Sequence, residues 1–157
     1  MQGSSRGGAA LSGQLAPLFS ALVRAGGGSP DWRTLTSTQR LLLFELVESG
    51  PLRLGPLAER VGATDPTTSR AVDGLVDAGL VVRRADPADR RAVLHEATAR
   101  GGIVTGERRA EVEAVLDRAL ASFTPAERRR LVGLLARLNE ELHAGAPPRN
   151  PALLAAR

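Results

Sequence analysis

Two pairs of arginines, Arg83-Arg84 and Arg90-Arg91, bracket the segment Asp86-Pro87-Ala88-Asp89, with Leu80-Val81-Val82 and Ala92-Val93-Leu94 on the two sides. Asp-Pro initiates turns, and β-branched and long apolar residues favour paired strands. The spacing therefore predicts a β-hairpin with arginines on its arms and near its tip. A second polar concentration lies upstream, where Thr67-Thr68-Ser69-Arg70 is flanked by Asp65 and Asp73. Arginine presents a planar fork to phosphate and guanine, and hydroxyls bond bases or phosphates, so both clusters suit a nucleic acid. Catalysis is not expected. The two histidines, His95 and His143, stand in no Gly-x-Ser-x-Gly or His-Glu-x-x-His pattern, and no phosphate loop is present. With no cysteine there is no disulfide, thiol switch or cysteine zinc site, so neither a metal nor a cofactor is expected.

The elements around these clusters follow from caps and periodicity. Asp65 reads as a helix cap with Pro66 at the first helical position. The helix runs through Ala78, with Gly79 past its end. Val72, Leu75 and Val76 share one face of it, while the hydroxyls, Arg70 and Asp73 crowd its beginning. Just before it, Gly55-Pro56 opens a short helix carrying Leu57, Ala58 and Val61, which Gly62 terminates. Two short helices on a glycine turn, followed by a hairpin, make a helix-turn-helix with a wing. Such a second helix lays its N-terminal residues against base edges. Leu52-Arg53-Leu54 is long enough only for a single β-bridge. Upstream, Thr36 and Gln39 form a capping box for a helix over Leu41–Glu48, whose run Leu41-Leu42-Leu43-Phe44 is apolar on more than one face and therefore central.

The flanks are leucine-striped. Leu11, Leu15, Leu18, Leu22 and Val23 recur at helical spacing, with Pro17 marking a start or a bend and Gly26-Gly27-Gly28 an end. Trp32 falls in the connector that follows. Thr98 caps a long helix reaching about Ser122, and Gly101, Gly102 and Gly106 either loosen its first turns or allow close packing on another backbone. Thr124 and Glu127 box a last helix through Leu131, Leu134, Leu135, Leu138 and Leu142 to about His143, and the two helices are expected to pair antiparallel. Arg128-Arg129-Arg130 reads as a solvated helix face.

At 157 residues, 43% apolar, 24% charged and 3% aromatic, the composition is that of an ordinary globular, mostly helical protein. The net charge is +4, and arginine supplies the basic side chains. No apolar run approaches the ~18 residues of a membrane span, and Ser12-Gly13-Gln14 interrupts any signal-peptide core, so a cytoplasmic protein is expected. The fold class expected is α+β, mainly α with a small β-hairpin. Residues 1–10 form a flexible N-terminus and 11–34 a dimerisation helix with its connector. Residues 35–97 form a winged helix-turn-helix, 98–144 the C-terminal dimerisation helices and 145–157 a Pro-rich tail. The terminal helices hold more leucine than such a lobe can cover, which predicts a homodimer.

The order and residues together resemble the MarR family of winged-helix transcriptional regulators. Leu35-Thr36 with Gln39, Leu57-Ala58 with Val61-Gly62, Ser69-Arg70 with Leu75, Gly79-Leu80-Val81, and Asp86-Pro87 with Asp89-Arg90-Arg91 carry the likeness, from about Leu11 to about Leu142. Ala97-Thr98 and Thr68 depart from it, standing where leucine-threonine and an apolar residue are common. The resemblance implies a homodimer binding double-stranded DNA at a palindromic operator, more often as a repressor, and released by a small-molecule effector whose binding residues are unknown. It implies that Asp89 holds the wing, that Arg91 with Arg90 enters the minor groove, and that Ser69 and Arg70 face the major groove. With the residues' own chemistry, the expected DNA-contacting set is Asp65, Thr67, Thr68, Ser69, Arg70, Asp73, Arg84, Asp89, Arg90 and Arg91. Trp32 and Phe44 are apolar neighbours for an effector cleft or plain core residues. The competing reading is a winged-helix module whose partner is a protein and whose DNA binding is weak or lost.

Overall fold

Central to the architecture is the helix that the Thr36 capping box opens. The Thr36 hydroxyl accepts from the Gln39 amide at 3.3 Å, and the Gln39 side chain accepts from the Thr36 amide at 2.8 Å. In the computed structural model, which describes residues 4–25, 29–142 and 144, this helix is α3 (Ser37–Ser49). It follows α1 (Ser4–Ala25) and α2 (Pro30–Thr34). After it come α4 (Leu54–Val61) and α5 (Asp65–Asp77), then the hairpin β1 (Val81–Asp86) and β2 (Asp89–Ala97). The long helix α6 (Ala99–Ala119), a 3-10 turn at Leu120–Ser122 and α7 (Pro125–Leu142) are the last elements among the described residues. The fold is the expected one, mainly helical with a two-stranded antiparallel hairpin.

Leu42, Leu43 and Leu46 of α3 are fully buried against Leu57 of α4, Val72 and Leu75 of α5, Leu80 and Val81 at the wing base and Val104 of α6. Burial on several faces is what its near-continuous apolar run requires. Leu52 makes the single predicted bridge, pairing with His95 through bonds of 3.0 and 2.8 Å and so tying the wing to the lobe. The helix-turn-helix bends at Gly62, whose φ of 66° lies in the left-handed region that costs other residues strain. Thr98 caps α6, accepting from the Gly101 amide at 3.1 Å, and Thr124 and Glu127 form the second capping box.

Several boundaries differ from expectation. Helix α1 begins at Ser4, inside the segment read as a flexible N-terminus, and runs through Pro17. Proline leaves the Gly13 carbonyl without its helical donor, but Gly13 is exposed and water can meet that oxygen. The cap of α5 is Thr64, which has extended dihedrals of −79° and 153°, and Asp65 is already the first helical residue. There its carboxylate still favours the positive end of the helix dipole. Helix α4 likewise starts one residue before Gly55-Pro56, behind Arg53. Gly101 is packed closely: a Cβ there would overlap the Leu80 carbonyl oxygen and lie 3.1 Å from Leu43 Cδ1, whereas Gly102 and Gly106 face open space. Helix α7 does not form the expected antiparallel pair with α6. The two make at most slight contact, and every residue of α7 is exposed except half-buried Leu138. The terminal tail 145–157, His143 and Gly26–Gly28 lie outside the described residues.

Candidate nucleic-acid interface

Helical spacing sorts the hydroxyl cluster. Thr68, Ala71, Val72 and Leu75 fall at i, i+3, i+4 and i+7 and form the buried stripe of α5. Thr68 is therefore a core residue with no access to DNA, which corrects its placement among the contacts, and its hydroxyl finds no partner among the described residues. Thr67 and Arg70 are exposed, and Ser69 is half-buried. Ser69 and Val72 form one wall of a groove of about 390 Å³, and Arg83, Ala92, Val93 and His95 of the wing form part of the other. Recognition helix and wing thus border a single depression.

The hairpin register divides its arginines. Arg83 pairs with His95, and Arg84 with Leu94, so consecutive side chains take opposite faces. Arg83 lies on the groove side and forms an ion pair with Asp73 of α5. That pairing gives Asp73 a role in docking the wing on the recognition helix. Arg84, expected among the DNA contacts, lies on the other face, with its Nε 2.5 Å from a Glu96 carboxylate oxygen. Toward the tip the register slips: Ala85 pairs with Val93 but Asp86 pairs with Asp89, leaving Arg90, Arg91 and Ala92 as a bulge without partners on β1. Bulges re-aim side chains. Arg90 and Arg91 are exposed, and no carboxylate among the described residues pairs with them or with Arg70.

Two carboxylates hold this tip, and the sequence pointed to only one. Asp89 Oδ1 accepts from the Arg91 amide at 3.1 Å, fixing the backbone that carries the arginine. Asp86, nearly buried, accepts from the Ala88 amide at 2.8 Å and from Arg53 Nε at 2.8 Å, with a further contact to Arg53 Nη2 at 2.6 Å. The Ala88 amide first, and then Arg53, hold its carboxyl below the usual carboxylate range against the opposing effect of burial. Asp-Pro already contained the signal for this turn, since Asp commonly bonds the amide two residues on. Arg53, 33 residues away, had none. His95, also missed, is buried at the wing base with Nδ1 3.4 Å from the Leu52 carbonyl, and burial pushes its pKa below 6.5.

A second depression separates the lobe from the terminal helices, a cleft of about 710 Å³. Phe19 and Leu22 of α1, Trp32 of α2, and Leu41 and Phe44 of α3 give it apolar walls. Arg33, Arg40 and Arg108 add positive charge. Trp32 and Phe44 meet edge to face, with centroids 5.2 Å apart at 79°, and the Arg40 guanidinium stands 5.6 Å over the tryptophan ring. Both aromatics therefore belong to the cleft as well as to the core margin.

The model of the MarR family matches residues 35–93, which span the capping box, the helix-turn-helix and most of the wing. The crystal structure of a probable transcriptional regulator from Pseudomonas aeruginosa is 32% identical, with 82% of this chain and 93% of that chain covered and a TM-score of 0.58. The chain belongs to the MarR family. RV1404 from Mycobacterium tuberculosis is 27% identical, with 94% and 98% covered and a TM-score of 0.77. BpsR from Bordetella bronchiseptica, whose DNA binding is regulated by 6-hydroxynicotinic acid, is 25% identical, with 85% and 92% covered and a TM-score of 0.61. Among curated proteins none matches significantly. The MarR lobe, with its exposed recognition-helix residues and wing, is that of a DNA-binding transcriptional regulator. No helix among the described residues is long and apolar enough to cross a membrane.

Proposed function

We propose that this MarR-family protein is a cytoplasmic homodimeric repressor that sits on a palindromic operator and leaves it when a small molecule fills the cleft. The observation that carries the DNA-binding residues is the contrast between engaged and free arginines. Arg53, Arg83 and Arg84 are held by carboxylates, whereas Arg70 on the recognition helix and Arg90-Arg91 on the wing bulge are exposed and unpaired. Unpaired guanidinium groups are free to replace phosphate counterions or enter a narrow minor groove. Thr67, Ser69 and Arg70 read the major groove, Asp89 holds the Arg91 backbone, and Asp65 and Asp73 support the helix and its wing. Two lobes related by a twofold axis place their recognition helices about 34 Å apart, one turn of DNA. The long exposed face of α7 supports the second copy that this requires.

The cleft suits a small planar aromatic acid. Its aromatic walls offer stacking, and its arginines offer a counter-charge near an apolar surface. The regulation of BpsR by a hydroxylated aromatic acid points the same way. An occupant wedged between lobe and terminal helices changes lobe spacing, and a spacing that misses successive half-sites releases DNA.

Selection of duplexes from a random pool by the purified protein tests this reading. A palindromic motif is expected, with affinity falling steeply as salt rises. Arg91→Ala is expected to weaken the selected complex by at least ~1 kcal/mol and remove minor-groove protection, while Arg84→Ala has a smaller effect. Recovery of no preferred sequence, or equal binding by Arg91→Ala, overturns it.

A further inference from the structure

The three carbonyls at and just past the C-terminal end of the recognition helix, those of Ala78, Gly79 and Leu80, are received by the beginning of α6. Arg100 Nη1 donates to the Ala78 carbonyl at 2.8 Å. The Thr98 hydroxyl donates to the Gly79 carbonyl at 2.8 Å, and the Thr98 amide to the Leu80 carbonyl at 2.9 Å. Arg100 differs from Thr98 in having a second edge. Its Nε and Nη2 both donate to Asp31 Oδ2, at 3.1 and 2.7 Å. Asp31 belongs to α2, the five-residue helix whose next two residues, Trp32 and Arg33, line the cleft. One guanidinium thus joins the cleft wall to the end of the helix that reads DNA, across sequence separations of 69 and 22 residues.

We propose that Arg100 is the positioning residue through which occupancy of the cleft reaches the recognition helix. The inference rests on the reading of the cleft as the effector site. A planar fork bonded on two edges carries a displacement of Asp31 to the Ala78 carbonyl as a pull, which a chain without the fork does not feel. An occupant that moves α2 therefore changes how the end of α5 is held. The far side of α2 is fastened separately: Arg40 Nε and Nη2 donate to the Trp32 and Arg33 carbonyls at 3.2 and 3.3 Å, so α2 moves as a unit with the cleft wall. Arg100 and Asp31 are both substantially exposed, and an exposed pair adds little to stability. Loss of Arg100 therefore separates coupling from folding.

The chain has no cysteine, so Ser37→Cys, at an exposed position lining the cleft, places one thiol there. In the reaction with N-benzylmaleimide the cysteine sulfur bonds one alkene carbon while the other takes up a proton, which replaces the π bond and the S–H bond and tethers an aromatic group in the cleft whatever the natural effector is. Labelling this variant is expected to weaken binding to the selected duplex about tenfold or more, within the usual range for coupled sites. In the same background Arg100→Ala is expected to bind DNA as the unlabelled parent does, and to lose no more than about threefold on labelling. Asp31→Asn, which keeps Arg100 on Ala78, is expected to uncouple as well, and Arg100→Lys to restore part of the response. An undiminished labelling effect in Arg100→Ala or in Asp31→Asn overturns the role of Arg100 while leaving release through the cleft intact. Equal weakening of labelled and unlabelled DNA binding by Arg100→Ala makes the residue merely structural and also overturns it. If labelling the Arg100-containing parent leaves DNA affinity unchanged, release through the cleft fails first and the relay with it.

Discussion

The lobe and the terminal helices both rely on leucine, but they leave it in opposite environments. Leu42, Leu43, Leu57 and Leu75 of the lobe are inaccessible to solvent, whereas Leu131, Leu134, Leu135 and Leu142 of α7 are all exposed, Leu142 to 71%. The lobe closes a core from its own chain. Helix α7 carries an equally regular stripe and packs against almost nothing among the described residues. A surface of that kind on a stable protein marks a partner. Folding of the lobe is therefore a property of one chain, while the proposed dimer assigns burial of the terminal stripe to a second copy.

Replacement of leucine in each of the two regions separates them. Leu43→Ala, at a site with 0% exposure, is expected to cost about 2–5 kcal/mol of unfolding free energy, by the same amount at every protein concentration. Chemical denaturation measures it, and a cost below about 1 kcal/mol would mean that the lobe core collapses around the cavity far better than its packing suggests. Leu134 is 52% exposed in the chain by itself. The paired change Leu134→Asp with Leu135→Asp is expected to move the protein from dimer to monomer in sedimentation velocity, with the far-ultraviolet signal of the lobe retained. A dimer that survives this change with unaltered dissociation removes α7 from the interface.

The junction between the regions offers a smaller and sharper test. Gly101 and Gly102 are adjacent on α6, but only Gly101 faces the lobe. Gly101→Ala drives a methyl group into the Leu80 carbonyl and is expected to cost about 1–3 kcal/mol. Gly102→Ala meets nothing within 4 Å and is expected to stabilise the helix, by about 0.5–1 kcal/mol. Equal effects at the two positions would mean that α6 does not seat on the lobe as described.

Much of the lobe was legible in the sequence because its signals are local. The Thr36–Gln39 box, Gly62, the Thr98 cap and the Asp-Pro turn each act within three residues. Thr68 was misplaced because a hydroxyl near a helix start reads as polar chemistry, although its spacing to Val72 and Leu75 already put it on the buried stripe. Arg53 was invisible because its contact with Asp86 spans 33 residues, and the Arg90–Ala92 bulge because alternation says nothing about where a register slips. The α6–α7 pair failed for a different reason. Periodicity shows that a helix has an apolar face, and it carries no information on whether the covering surface lies in the same chain.

The smallest expected effect concerns a titratable group that the lobe buries. Burial holds the His95 pKa below 6.5, with Arg83 acting the same way and the Leu52 hydrogen bond and Asp73 opposing. The folded lobe therefore favours neutral His95, while the unfolded chain takes up the proton near pH 6.5. Between the two pKa values the unfolded state binds more protons, so stability rises with pH there. The contribution is complete above pH 6.5 and is lost as pH falls through the depressed folded value. Asp86, with its pKa lowered from 3.8, acts in the same direction but in a separate and more acidic window. Urea unfolding at roughly pH 7.5 and roughly pH 5.5 is expected to show a weaker lobe at the lower pH, with the difference reduced in His95→Gln. A pH dependence that persists unchanged in His95→Gln assigns the proton elsewhere and leaves the wing base indifferent to it.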